Sequence, residues 1–450
     1  MNNKFLLLVS IFCLGLQQVE AQQKTSISLH DAVAMALEKS DEVGLANAKK
    51  TTKKYELQSV KNNRYPDLKI SGQYMRLTNA DIKQGSVLNA SSENTTTTNA
   101  KKESAKVDQL MLGQANLSLP LFSGFKLKNS IRASEKLYQA ESASAAYTKE
   151  ETALQVIEYY AQLYKTQKSV ELFRESLKRS QQRVTDFTAL EKNGLIARND
   201  LLKSQLQVSK IQLSLDDAEK DIRIINYKLI ALLKLPAETL IEVSPANIDA
   251  NLFKNVVKNE SEALQSRKDL EAVHLMGQAA EANIKVAKAG YYPSLGLSGG
   301  YIALDLNNVI TVKNAMNVGV GLSYNLSSIF KNADEVKAAK SKALEAQTQA
   351  ALLSNRIKTE IVKAQEEYNL SVKQDKVYNE SVEQASENYR IVKDKYDNGL
   401  VDTNDLLEAD VDQLGAQVNQ ANAKANVALK YYELLNAAGQ LLQSFNFSQN

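Results

Sequence analysis

The sequence predicts a mainly α-helical protein with a membrane-spanning β contribution, built from two copies of one unit. Three observations predict it. The chain has 5 Pro and 17 Gly in 450 residues and no Trp, while Ala, Gln, Lys, Glu and Leu dominate, a composition suited to long helices. The stretch Lys-Asn-Gly-Leu-Ile-Ala-Arg-Asn-Asp-Leu-Leu from Lys192 returns almost unchanged inside Tyr396 to Ala409, so that Gly194 and Gly399, Asn199 and Asn404, and Asp200 and Asp405 each lie 205 residues apart. Tyr65-Pro66 and Tyr292-Pro293, at an offset of 227, each precede a segment of alternating polarity. Such a pattern marks an internal duplication. The 22 residues separating the two offsets fall between paired strands, so the second copy has the shorter loop there.

Residues 1–21 read as a secretory signal peptide, with Lys4, an apolar run Phe5 to Leu16 and Val19-Glu20-Ala21 before a cut at Gln22. The run is too short for a retained membrane helix. The only cysteine, Cys13, lies inside it, and Ser10-Ile11-Phe12 before it make a poor lipoprotein signal. The exported chain is therefore expected to have no thiol, no disulfide and no lipid anchor. No later segment approaches ~20 apolar residues, so any membrane span is made of strands. A net charge of +3 without a basic stripe argues against a nucleic-acid partner.

The first copy covers 22–245. Leu29 to Asn63 has helical spacing, and Tyr65-Pro66 ends it because the residue before proline leaves the α region. A strand follows at about 66–77, with Leu68, Ile70 and Tyr74 on one face and Lys69, Ser71 and Gln73 on the other. Asn79 to Asp108 reads as a polar loop that includes Thr95 to Thr98. Its Asn94-Thr95-Thr96 fits a glycosylation acceptor, a triplet common by chance in such a loop. A second strand, about 112–122, places Ala115, Leu117, Leu119 and Leu121 on its apolar face.

From Phe125 to Lys192 there is neither Pro nor Gly, and 68 helical residues would span roughly 100 Å. Val156, Leu163, Val170, Leu177 and Val184 recur every seven residues, beside Phe173 and Phe187, as in a coiled-coil seam. After a tip at 193–200, the stripe Val208, Ile211, Leu215, Ala218, Ile222, Ile225, Leu229 and Leu232 marks a returning helix that ends near Pro236. A non-periodic connector with Pro245 runs to about Val257.

The second copy, 246–450, repeats the order, with strands at about 293–304 and 316–326. Its long helix, Lys331 to Tyr396, has Tyr378, Val382, Ala385, Tyr389, Val392 and Tyr396 as its seam. A tip at 398–405 follows, and Leu407, Val411, Leu414, Val418, Ala421 and Ala425 line the return.

At each tip a helix stops at Asn-Gly, the chemistry of a left-handed C-cap. Asn199 and Asn404 then stand where N-caps would, with Asp200 and Asp405 in the first turn, where the helix dipole favours them. Gly194 and Gly399 serve as caps or, with Leu195 and Leu400, as a contact surface for a partner. Four strands per chain cannot span a membrane alone, because open edges leave N–H and C=O groups in lipid. Two chains would supply eight strands and three would supply twelve, both even numbers as bacterial barrels prefer.

Two repeats of helix, strand, strand, long helix, Gly-Leu tip and helix resemble the TolC family of outer-membrane efflux and secretion channels. The opening Leu29-His30-Asp31-Ala32-Val33-Ala34-Met35-Ala36-Leu37 is similar to that family's N-terminal helix. The resemblance implies a homotrimer with a twelve-stranded barrel shared by three chains in the outer membrane of a Gram-negative bacterium. It also implies a large helical portion in the periplasm. The function it implies is a passive exit duct for small molecules or proteins, in tripartite efflux or type I secretion. Its partners would be a periplasmic adaptor (membrane fusion) protein at the tips and an inner-membrane pump of RND or ABC type.

The family's gate carries over to Tyr396, Asp405 and Glu408 in the second copy and to Asn199 and Asp200 in the first. An Arg found two residues after the second tip Gly in the family's best-known channel is Val401 here, and the nearby Arg198 belongs to the first copy. In a three-fold ring Asp405 and Glu408 would recur close to one another, repel, and attract cations. Outside that setting, an acidic residue just after a helix start is more often a dipole-favoured cap than a gate.

Lys69, Gln73, Asn116 and Ser118 line either a pore or a solvated sheet. Tyr65, Tyr74, Tyr292, Tyr301 and Tyr324 suit an interfacial aromatic girdle or packing against helix ends. His30 and His274 fall on separate helices, which argues against a metal site or a His-based catalytic centre. The sequence has no Gly-rich phosphate loop and no nucleophile elbow, so neither an enzyme nor a cofactor is expected. A periplasmic coiled-coil adaptor or scaffold without a pore is the alternative, although the Gly- and Pro-rich β-domain such adaptors carry is missing.

Overall fold

The computed structural model describes residues 24–82, 105–243, 260–307 and 310–446. The expected leader at 1–21, Cys13, Asn94-Thr95-Thr96 and Pro245 lie outside the described residues. In chain order the elements are β1 (Lys24–Ser26), α1 (Leu29–Lys39), α2 (Asp41–Asn62), β2 (Asp67–Ile82), β3 (Ala105–Ser123), α3 (Lys126–Lys192), α4 (Arg198–Leu233) and β4 (Leu240–Glu242). Then come α5 (Glu260–Ser266), α6 (Lys268–Lys288), β5 (Ser294–Leu306), β6 (Ile310–Ser323), α7 (Ser328–Asp397), α8 (Thr403–Ala437) and α9 (Leu441–Ser444). The chain divides into two compact units, Thr51–Ala140 with Val273–Ala350, and Met1–Lys50 with Glu141–Ala272 and Ala351–Asn450.

The first of these units holds an antiparallel sheet in the order β2-β3-β5-β6. Cross-strand rows follow the sequence alternation. Leu68, Leu117, Gly299 and Val318 form one row, and Ile70, Ala115, Tyr301 and Met316 the next. This face is bare, with Ile70 at 78% and Val318 at 81% exposure. The outer edges of β2 and β6 have no strand partner among the described residues.

Two expectations for the sheet change. A bulge after Pro120 makes Phe122, rather than Leu121, the partner of Leu295, because one extra residue shifts the alternation. The loop expected from Asn79 to Asp108 is shorter at both ends, since β2 runs to Ile82 and β3 starts at Ala105. With 16 and 19 residues, β2 and β3 exceed the 13 and 14 of β5 and β6, so the extra sequence of the first copy lengthens strands as well as the loop.

In the other unit the expected seam is the core. Val156, Leu163 and Leu229 are fully buried, packed with Leu29, Val33 and Ala36 of α1 and with Leu441 of α9. Val170, Leu177, Ile211, Leu215 and Leu414 continue it. Residues 24–26 and 240–242 pair as a short parallel sheet that three-residue segments could not signal in sequence. The other edge of β4 is closed by side chains. Gln167 Nε2 donates to the Ile241 carbonyl at 2.8 Å, and the Ile241 N–H donates to Asn226 Oδ1 at 2.9 Å.

The helix expected over Leu29 to Asn63 is broken at Ser40, which takes ψ 148° and caps α2 through a 3.4 Å bond from the Val43 N–H to its Oγ. Arg267, 227 residues later, breaks the second copy at the same point, between α5 and α6. Its guanidinium grips Asp269 through two bonds of 2.9 and 2.7 Å, meets Glu360 of α7 at 3.2 Å and donates to the Ala437 carbonyl at 3.3 Å. Gly439 passes so close that a Cβ there would sit 3.0 Å from the Arg267 backbone nitrogen.

Near this knot Glu150 is 1% exposed, and its Oε1 has no hydrogen-bond partner among the described residues. Burial pushes its carboxyl up to about 7; Arg267 and Lys268 pull the other way, while Asp269 and Glu151 add to the rise. A raised folded pKa means the contribution to stability is whole below the ordinary value of 4.5 and is lost as pH climbs through about 7. Glu150→Gln should remove that slope: relative to the variant, wild type loses roughly 3 kcal/mol between these limits. Unfolding free energies of both proteins across that range measure it, and a difference independent of pH would reject the buried-acid reading.

Candidate functional site: the helical tips

Both tips close with the same backbone bonds. In the first, Gly194 N–H reaches Glu191 O and Leu195 N–H reaches Leu190 O, each at 2.9 Å; in the second, Gly399 reaches Tyr396 O and Leu400 reaches Lys395 O at the same distance. This is the paired-bond C-cap in which the glycine takes a left-handed conformation, and φ is +71° and +73° at the two positions. A Cβ at either glycine would meet no atom within 4 Å, so backbone conformation alone selects Gly. Leu195 and Leu400 project into solvent, 70% and 73% exposed.

The returning helices start earlier than expected. Asp402, not Asn404, is the N-cap of α8: its Oδ1 accepts from the Asn404 N–H at 2.7 Å and the Asp405 N–H at 3.1 Å. Asp405 answers by accepting from the Asp402 N–H at 3.4 Å, completing a capping box. In the first copy the N-cap is Ala197, which has no side-chain oxygen, and Asn199 falls within the first turn. For α8 the structural reason is that the Asp402 carboxylate, two residues nearer the tip, reaches the orphan N–H groups first, whereas α4 starts without a side-chain cap. Here Arg198 pairs with Glu191 across the tip at 3.5 Å, and Asp200 lies 4.0 Å from Lys203.

The candidate gate residues fall in three settings. The Tyr396 ring stacks on Phe187 of α3, centroids 6.0 Å apart and planes at 30°, which ties the second tip to the first copy. Asp405 and Glu408 are both exposed, but Glu408 lines a groove of about 310 Å³ between α4 and α8, with Asn404, Lys203, Leu206 and Lys210. Asp200 is half-buried and Asn199 is exposed.

One feature escaped the sequence reading. Arg183 of α3 donates to Asp410 of α8 at 3.1 Å, the side chains being 10% and 1% exposed, and its other nitrogen lies 3.5 Å from the Tyr389 hydroxyl of α7. Asp410 Oδ1 is buried with no partner among the described residues. The available signal was the spacing: Asp410 stands three residues after Leu407 and four before Leu414, a charge on an otherwise apolar stripe.

Comparison with known proteins bears on this geometry. The profile of the family described as outer membrane efflux protein matches residues 32–233 and 260–440, one block in each copy. The outer membrane efflux protein BepC of Brucella suis is 20% identical over 328 residues, 72% of this chain and 71% of that one. A membrane protein from Pseudomonas aeruginosa superposes with a TM-score of 0.79 at 16% identity, covering 94% of this chain and 93% of that chain. The Campylobacter jejuni CmeC outer membrane channel does so with 0.75 at 19%, covering 95% and 91%.

Removing one partner of a buried ion pair strands the other charge. Arg183→Ala should therefore cost about 3–5 kcal/mol, while Arg183→Met combined with Asp410→Leu should recover most of it. Denaturation of the two variants beside wild type checks this, and a near-silent Arg183→Ala would count against a tight pair.

Proposed function

Because the chain belongs to the outer membrane efflux protein family, with the TolC-like fold of outer-membrane channels, we propose that three copies join edge to edge to complete one duct. The family makes it an outer-membrane efflux protein and sets aside the poreless scaffold. The observation that carries closure by further copies is the sheet, with four strands, two edges that have no strand partner among the described residues and one bare apolar face; the number three rests on the likeness to the family's channels. In lipid each unpaired backbone group costs several kcal/mol, so β6 of one copy must meet β2 of the next. Three copies close a twelve-stranded barrel, with the apolar rows toward lipid and Tyr65, Tyr74, Tyr292, Tyr301 and Tyr324 near its borders. The expected leader at 1–21 directs export.

In this reading the helical portion lies in the periplasm and the duct is passive, its energy coming from an inner-membrane pump of RND or ABC type through a periplasmic adaptor. The cargo is small molecules, or proteins in type I secretion. Leu195 and Leu400, held outward by Gly194 and Gly399, are the adaptor-contacting residues. Asp405 and Glu408, with Asp200, Asn199 and Tyr396, form the periplasmic constriction. Val401 supplies no charge there, and the Arg183–Asp410 pair, which joins the two hairpins within one chain, takes the holding role.

Two measurements test this. The protein in the purified detergent particle should have the mass of three chains, and a stable water-soluble monomer would overturn the barrel. In planar bilayers Asp405→Ala with Glu408→Ala should raise single-channel conductance and weaken block by divalent cations; unchanged values of both would reject the gate.

A further inference from the structure

The face of the sheet opposite the bare apolar rows has a row of its own. Lys69 pairs with Asn116, Asn116 with Gly300, and Gly300 with Asn317. Gly300 is what lets this row close up. A Cβ on it would stand 2.9 Å from Asn317 Oδ1 and 3.4 Å from Asn116 Oδ1, so the two amides lean over the position from either side. The adjoining rows on this face are Asp67, Ser118, Ser298, Gly319 and then Ser71, Gln114, Ile302, Ala315. Within these three rows, Asp67 and Lys69 are the only ionisable residues. Ile70, the next residue along β2, belongs to the apolar face.

We propose that Lys69, in one cross-strand row with the amides of Asn116 and Asn317, forms a charge-selecting ring in the barrel lumen that favours anionic solutes. The ring rests on the twelve-stranded duct proposed above. Repeated in each copy, the row places a band of ammonium groups and amides around a water-filled passage. A ring of one sign in a pore with low-dielectric walls raises the local concentration of counter-ions. The amides offer both donors and acceptors, replacing part of the water a solute sheds. Asp67, two residues away on the same face, opposes Lys69, so the balance between the two sets the preference.

The test uses the full-length protein in planar bilayers under a potassium chloride gradient, in the Asp405→Ala/Glu408→Ala background so that the helical end does not dominate. Lys69→Glu should raise the permeability of potassium over chloride severalfold, and Asp67→Asn should shift it the opposite way. Reversal potentials unchanged in both would overturn the ring. A second arm avoids dependence on charge reversal, since the only native cysteine, Cys13, lies in the expected leader. Lys69→Cys should react with a water-borne sulfonate thiol reagent and become more cation-preferring, while Ile70→Cys in the same membrane should stay unreactive. Equal reaction at both positions, or none at Lys69→Cys in conducting channels, would also overturn it. Failure of the wild type to conduct at all would remove the duct, a result distinct from unchanged selectivity in working pores.

Discussion

The structure depends above all on an unmet backbone requirement. Every N–H and C=O of a strand seeks a partner, and among the described residues four long strands form a sheet that stops at two open sides. In water such edges invite aggregation; in hydrocarbon they are prohibitive. The bare apolar rows on one face and the Lys, Asn, Ser and Gln on the other make sense together only if the sheet separates lipid from water. Sheet length, edge exposure and side-chain alternation therefore serve one condition, and the proposed neighbours satisfy it.

The helices tell a related story through unequal burial of equivalent seams. In α3, Val156, Leu163, Val170 and Leu177 are buried within a single chain. In α7, Tyr378, Val382, Ala385, Tyr389, Val392 and Tyr396 are only half-buried, while Leu352, Leu370 and Val377 on other faces stand exposed. The two helices come from the same ancestral repeat. Where α3 finds partners in α1, α4 and α8, much of the apolar surface of α7 still has none. Single exposed leucines are ordinary, but a series of them along one 70-residue helix implies further contacts.

Much of this was legible in the sequence, because duplication makes each copy a check on the other. The four strands, the long helices, the tip glycines and the seam residues all followed from two offsets and two periodicities. What escaped was local and depended on competition between nearby groups. Ser40 and Arg267 interrupt helices without Pro or Gly, because a serine cap and a buried guanidinium outweigh the helical spacing around them. Asp402 outcompetes Asn404 as a cap by being closer to the orphan N–H groups. Of the bulge at Leu121 the only trace was Pro120, which cannot donate to a ladder. Of the site, the tip positions were readable one by one, whereas the Arg183–Asp410 pair, 227 residues apart in sequence, is evident only once three helices are assembled.

The side-chain closure of β4 has a wider consequence. A protein whose assembly runs through bare strand edges must keep other strands from answering the same invitation. Gln167 and Asn226 occupy the free side of β4 with amide groups that imitate a neighbouring backbone, so that side cannot recruit another strand. One competing edge is thereby withdrawn from the proposed pairing of β6 with β2 of a neighbouring copy.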